Sequence, residues 1–213
     1  MKNQNEKKNF SLVLLGDADV GKTHILNCYQ NDKIIDETND SMIGINESEK
    51  NIEIDNIPIK LQLIDTAGQE KFKGTTQSIY TKGDGFIIFF NYSNNESFDS
   101  ITTWYNNIFE NNKFKKIPPA TLIVGIVNND DNINREKNLD VIKEKIKEIN
   151  KEIKSYNIIG LIDCNYTKLE DINKIFDTIV IHLLKNGKEK EHNITLNTNQ
   201  NKNQKKKCCC CWK

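Results

Sequence analysis

The 213-residue chain predicts an α/β domain: a doubly wound, mostly parallel six-stranded sheet with helices on both faces. Three observations carry that expectation. Gly85–Phe90 (GFIIFF) and Thr121–Val127 (TLIVGIV) are apolar at nearly every position, which suits strands covered on both sides. Segments with apolar residues every three or four positions alternate with such runs, as crossover units require. With 37% hydrophobic and 28% charged residues, the chain has material for one core, and its length suits one domain with tails.

The elements follow in order. Phe10–Leu15 (FSLVLL) is a short apolar strand ending at Gly16, and the helical ILNCY follows shortly after. Lys50–Ile54 and Ile59–Ile64 flank Asp55-Asn56, a hairpin turn. After the GFIIFF strand, Phe98, Ile101, Trp104 or Tyr105, and Ile108 mark a helix. After TLIVGIV, Leu139, Ile142, Ile146, Ile149 and Ile153 mark another, with Lys and Glu on its other face. Asn157–Ile162 is a last, weaker strand, and Ile172, Ile175, Phe176, Ile179 and Leu183 form the final helical stripe. Residues 9–185 are thus read as the domain and 1–8 as a disordered N-terminus. Residues 186–213, Asn/Lys-rich and without periodicity, are read as a flexible tail.

Charge narrows the partners. Lys+Arg and Asp+Glu are 30 each, so the whole chain gives no argument for nucleic-acid binding. Residues 1–9 (MKNQNEKKN) are polar, unlike a secretory signal, and no apolar run approaches the roughly 18 residues of a membrane span. Cys28 and Cys164 lie in the body, and Cys208–Cys211 are consecutive, a spacing that makes neither a disulfide framework nor a zinc site. A reducing, cytosolic setting is expected.

Gly16-Asp17-Ala18-Asp19-Val20-Gly21-Lys22-Thr23 fits G-x-x-x-x-G-K-[ST] at every fixed position, between a strand and a helix. Glycines let backbone N–H groups wrap a phosphate, and the helix N-terminus adds its positive end. Lys22 places a charge between the outer phosphates, and the Thr23 hydroxyl suits Mg²⁺. This is the pattern of a P-loop nucleotide-binding protein. Further on, Asp65-Thr66-Ala67-Gly68-Gln69-Glu70 follows the strand KLQLI. Asp65 is placed to hold Mg²⁺, usually through water, Gly68 to offer its N–H to a terminal phosphate, and Gln69 to orient an attacking water.

GDADVGKT, KLQLIDTAGQEKF, Tyr80-Thr81-Lys82-Gly83 and NYSNNESFDSITTW together resemble a small GTPase of the Ras superfamily, most like its Rab branch. The similarity covers roughly residues 9–185 and is strongest up to Trp104. It implies GTP and GDP as ligands, Mg²⁺ as cofactor, and slow GTP hydrolysis with Gln69 as the catalytic residue. It also implies a monomeric switch in vesicle trafficking, on cytosolic membrane faces with a soluble pool. An exchange factor, a GTPase-activating protein, an escort protein and effectors would be its partners.

The chain departs from that pattern at several places. In "ETNDSMIGINESE" (37–49), a polar, flexible stretch that the resemblance makes the first switch segment, Met42-Ile43-Gly44 stands where the family carries Thr-Ile-Gly. A thioether is a poor ligand for a hard cation, and a one-residue slip would bring Ser41 to the metal instead. The family reads guanine with Asn-Lys-x-Asp after the fifth strand. The strict register puts Ile126-Val127-Asn128-Asn129 there, and a shift by two gives Asn128-Asn129-Asp130-Asp131. The shifted register is preferred because it puts polar groups at the strand's C-terminal end, making Asn128, Asn129 and Asp131 the base-binding candidates.

Asn165-Tyr166-Thr167 replaces a Ser-Ala-Lys loop, and Ile34 replaces an aromatic near the base. Glu47 and Ile64 replace aromatics used by partners, while Tyr80 is kept, and Ala18 sits where bulk slows hydrolysis. At the end, Lys205–Lys207 precede the cysteines. Cys210 and Cys211 resemble a prenylation site of the Cys-Cys-x-x type, and Cys-Cys-Trp-Lys read as C-a-a-X fits less well. Two lipid chains anchor stably where one is marginal, and the lysines favour anionic lipid. The departures support a second expectation, a pseudo-GTPase acting as a membrane-anchored scaffold.

Overall fold

Alternation within the apolar runs decides how the sheet is covered. In β1 (Lys8–Leu15), Leu12 and Leu14 face one core cluster while Val13 and Leu15 face the other. β4 (Gly85–Asn91) divides Ile87 and Phe89 from Phe86, Ile88 and Phe90 in the same way. β5 (Ala120–Ile126) sends Leu122, Val124 and Ile126 to the first cluster and Ile123 to the second. Side chains of a strand alternate between faces, so a run with no polar member needs a cover on both. Helix α1 (Lys22–Asn31) and the helix over 169–186, here α4, supply Ile25, Leu26, Ile172, Ile175, Phe176 and Ile179 to one side. Helices α2 (Lys73–Lys82) and α3 (Asn95–Asn112) supply Ile79, Tyr80, Ile101, Trp104 and Ile108 to the other.

The computed structural model describes residues 7–35, 46–66, 73–113, 115, 118–127, 140–141, 144 and 157–186. Its six strands run in the order β2-β3-β1-β4-β5-β6, with β2 (Asn46–Ile54), β3 (Ile57–Asp65) and β6 (Ile158–Cys164) completing the set. Only β2 and β3 are antiparallel; the other neighbours are parallel. The predicted fold class therefore holds. The helical stripe expected over Leu139–Ile153 lies largely outside the described residues, although residues 140, 141 and 144 are helical.

The β2–β3 turn is the expected one. Asp55 and Asn56 have φ of 53° and 60°, the pair of positive values that a two-residue type I′ hairpin requires. The strand limits differ from those expected from the sequence by one to four residues. β1 begins at Lys8, inside the stretch assigned to a disordered N-terminus, because Lys8 already pairs with Ile59. β2 begins at Asn46, so the last residues of the "ETNDSMIGINESE" stretch form ladder with β3, Asn46 opposite Asp65 and Glu47 opposite Ile64. Their polar side chains hid the strand, yet they have partners. Glu47 accepts from Gln62 at 3.0 Å, Lys60 pairs with Glu49 at 2.8 Å, and Gln30 donates to Ser48.

A polar cluster ties β2 to both helices on its side. The Lys50 ammonium bonds the Tyr29 carbonyl and Asp32 (2.6 Å), and lies 4.2 Å from the centre of the Tyr29 ring. Tyr29 in turn stacks on Phe176 of α4 at 3.7 Å. Burial, then Asp177 and Asp32, push the Tyr29 phenol above its ordinary range.

Candidate nucleotide-binding site

Strand order reverses direction at β1, which lies between β3 and β4. In open α/β sheets such a switch point leaves a crevice beyond the strand C-termini, where ligands sit. The predicted phosphate loop is there. Gly16 follows β1 with φ of 136°, Asp19 is left-handed at 61°, and Gly21 caps α1 at 89°. Gly21 gives its carbonyl to the Ile25 amide at 3.0 Å but no side chain caps the helix, so the first-turn amides stay available to an anion. Gly16 has a second reason to be glycine: a Cβ there would lie 2.3 Å from the Phe89 carbonyl oxygen.

The two candidate side chains of the loop, Lys22 and Thr23, are held differently. Lys22 is only 4% exposed, and its ammonium donates to the carbonyls of Gly16 (2.6 Å) and Asp17 (2.5 Å). It is thus folded back over the loop rather than extended into solvent. Thr23 donates its hydroxyl to Asp65 Oδ2 at 2.6 Å. Asp65 is wholly buried at the end of β3, opposite Leu14 in the register, and Thr66 anchors that strand end by donating to the Leu14 carbonyl at 2.8 Å. A hydroxyl and a carboxylate brought together in this way are the hard oxygen donors that Mg²⁺ takes, so these residues fit the expected cation.

Val20 is buried at 2% and pins the loop to the core, whereas Ala18 and Asp19 are exposed at its crest. Gly68 and Gln69, Ser41 and Met42, Asn128, Asn129 and Asp131, and Cys210 and Cys211 all lie outside the described residues. Ile126, the first residue of the strict base-reading register, ends β5 and packs in the core at 2% exposure.

Three features of the site were not legible as contacts. Trp104 Nε1 of α3 donates to Asp17 Oδ1 at 2.8 Å, across 87 positions of sequence. The available signal was an indole N–H on a core-facing stripe, which needs a partner when buried. His24, next to Thr23, meets Tyr166 edge-on with ring centres 5.5 Å apart. The loop after β6 is therefore brought to the start of α1. It is shaped by Asn165, whose side chain accepts from the Thr167 amide and hydroxyl at 3.0 and 2.7 Å. Finally, Cys164 sits buried beneath that loop, its thiol pushed up to about 12 by burial and then by Asp171 and Cys28.

Fold and site together define a P-loop nucleotide-binding protein: a phosphate loop at a switch point, a buried lysine over it, and a hydroxyl–carboxylate pair beside it. The Ras family model matches residues 11–185, and the chain belongs to that family, as a Rab-like small GTPase. Among its relatives are "Ras-related protein Rab-8A" of Bos taurus and of Mus musculus, and "Ras-related protein Rab-8B" of Homo sapiens. Each is 42% identical over 101 residues, 47% of this chain and 48% of the relative. The match thus spans about half the length of these curated relatives. Proteins of the family use Mg²⁺ with GTP. Among the described residues no helix is long and apolar enough to cross a membrane.

Proposed function

We propose that this protein is a Rab-like switch that binds GTP and GDP and slowly hydrolyses GTP on the cytosolic face of trafficking membranes. The observation that carries the reading is the convergence of Lys22, Thr23 and Asp65 at the loop, with Thr23 and Asp65 2.6 Å apart. Backbone amides from Gly16 to Lys22 bind phosphate oxygens. Lys22, held by the Gly16 and Asp17 carbonyls, presents its charge at the loop without needing to be ordered by the ligand. Thr23 and Asp65 would hold Mg²⁺, which when bound neutralises phosphate charge. Gln69 orients the attacking water, and Gly68 offers an amide to the terminal phosphate. Hydrolysis is slow without a partner that supplies further positive charge.

Membrane attachment would come from prenyl groups on Cys210 and Cys211, assisted by Lys205–Lys207. Exchange factors, GTPase-activating proteins, an escort protein and effectors follow from the Rab likeness. Met42 favours a second reading, a scaffold whose switch loop is not ordered by the terminal phosphate.

Substitution of Lys22 tests the binding reading. Lys22→Ala is expected to weaken GDP affinity roughly 10- to 100-fold, the loss of a charge-assisted contact, measured by titration with a fluorescent GDP analogue. Unchanged affinity contradicts it. Thr23→Ala is expected to abolish the dependence of GDP retention on Mg²⁺, measured as release with and without a chelator. For the anchor, intact-mass measurement on protein from eukaryotic cells should show two isoprenoid additions at Cys210 and Cys211; an unmodified pair refutes it.

A further inference from the structure

We infer that Trp104 is a positioning residue of the phosphate loop: its indole, through Asp17, holds the loop segment that in turn holds Lys22. The inference rests on the nucleotide-binding reading for its consequence, but its geometry stands apart from it. Asp17 is engaged at both ends. Its carboxylate accepts the Trp104 Nε1–H at 2.8 Å, and its backbone carbonyl accepts the Lys22 ammonium at 2.5 Å. One residue therefore connects α3 to the lysine that neutralises phosphate.

Trp104 is well placed for this. It is 7% exposed and packed in the cluster between the sheet and α2–α3, so its ring is fixed by the core while its N–H points out at the loop. α3 is itself anchored where it starts, because Asn94 accepts from the amides of Glu96 (2.9 Å) and Ser97 (3.2 Å). A rigid donor on a fixed helix removes freedom from a loop that carries left-handed residues at Gly16, Asp19 and Gly21. It also controls charge. Asp17 is an anion beside a site for polyphosphate, and like charges at close range repel strongly in a partly buried setting. The indole bond turns that carboxylate toward α3 and partly screens it, while the residue's amide stays in the loop. Trp104 thus lowers the cost of presenting the loop to phosphate, without touching the nucleotide.

The test is a double-mutant cycle read in two ways, using the full chain. Trp104→Phe keeps an aromatic ring in the core and removes the N–H; Asp17→Ala removes the acceptor from the other side. Hydrogen exchange of the amides at 16–21 is expected to rise roughly 10-fold in each, as fits one lost charge-assisted bond, with the amides of β4 unchanged. The double variant should exceed the larger single effect by less than twofold. Release of a fluorescent GDP analogue should quicken by a similar factor. Loop exchange within twofold of the parent in both single variants overturns the inference, as do effects that multiply in the double. If loop exchange responds as expected but the parent protein holds no nucleotide, the positioning role stands and the switch reading fails.

Discussion

At Gly16 the backbone alone selects the residue. A φ of 136° is poor for any side chain, and the Cβ of alanine would meet the Phe89 carbonyl oxygen at 2.3 Å. Gly16→Ala is expected to cost about 2–4 kcal/mol, strain and overpacking together, measured by urea denaturation. A loss below about 0.5 kcal/mol would mean that the loop relaxes freely. Cys164 allows a pH prediction. Its folded value of about 12 lies above the ordinary 9.0, so folding favours the protonated thiol. The stabilisation is complete below about pH 9 and is lost as pH rises from there toward 12, as proton linkage requires. Cys164→Ser should flatten that alkaline decline in a plot of unfolding free energy against pH; an unchanged slope contradicts the assignment.

The phosphate-loop residues were legible in the sequence because geometry imposes each one locally: two glycines for positive φ, a lysine and a threonine at fixed offsets. Trp104 and Asp17 were not legible as a pair. Nothing local couples positions 87 apart, and the helical stripe explained Trp104 as core without needing its N–H.

Elements were legible where periodicity was strong. β4 and β5 stood out because two covered faces leave no polar member. β2 was truncated in the sequence reading because Asn46–Glu49 carry polar side chains on an edge strand, where backbone pairing with β3 suffices and side-chain pattern says little. Gly125 within β5 has a reason that only the fold shows: a Cβ there would lie 2.4 Å from the Tyr92 ring and 2.7 Å from that of Phe90. Tyr92 in turn reaches across β5 to donate to Asp163 of β6 at 2.6 Å.

Asn56→Val places a β-branched residue at φ of 60° and should cost about 1–2 kcal/mol, while Asn56→Gly should be neutral or stabilising. Asn94→Ala removes the α3 cap and should cost about 1 kcal/mol. Thermal unfolding distinguishes both from a silent surface change; no shift in Tm for Asn94→Ala would show that the cap contributes nothing.

Over the whole molecule, strand order explains why one end of the sheet gathers the chemistry. β1 delivers the loop, its neighbour β3 delivers Asp65, and the loop after β6 reaches His24 at the start of α1. Among the described residues, the phosphate side of the candidate site gathers the loop, Lys22, Thr23 and Asp65. The stretches that the Rab resemblance makes base-reading depart from the family pattern in sequence, at Asn128–Asp131 and Asn165–Thr167, and the 37–49 stretch departs from it at Met42. The proposed switch requires a guanine nucleotide in this site with Mg²⁺. Its most direct test is to extract the purified protein, quantify the released nucleotide, and titrate the stripped protein with GTP, GDP and ATP in Mg²⁺. Co-purified GDP or GTP, with both guanine nucleotides binding tighter than ATP, is the predicted result; micromolar or weaker binding with no preference for guanine over adenine would contradict it.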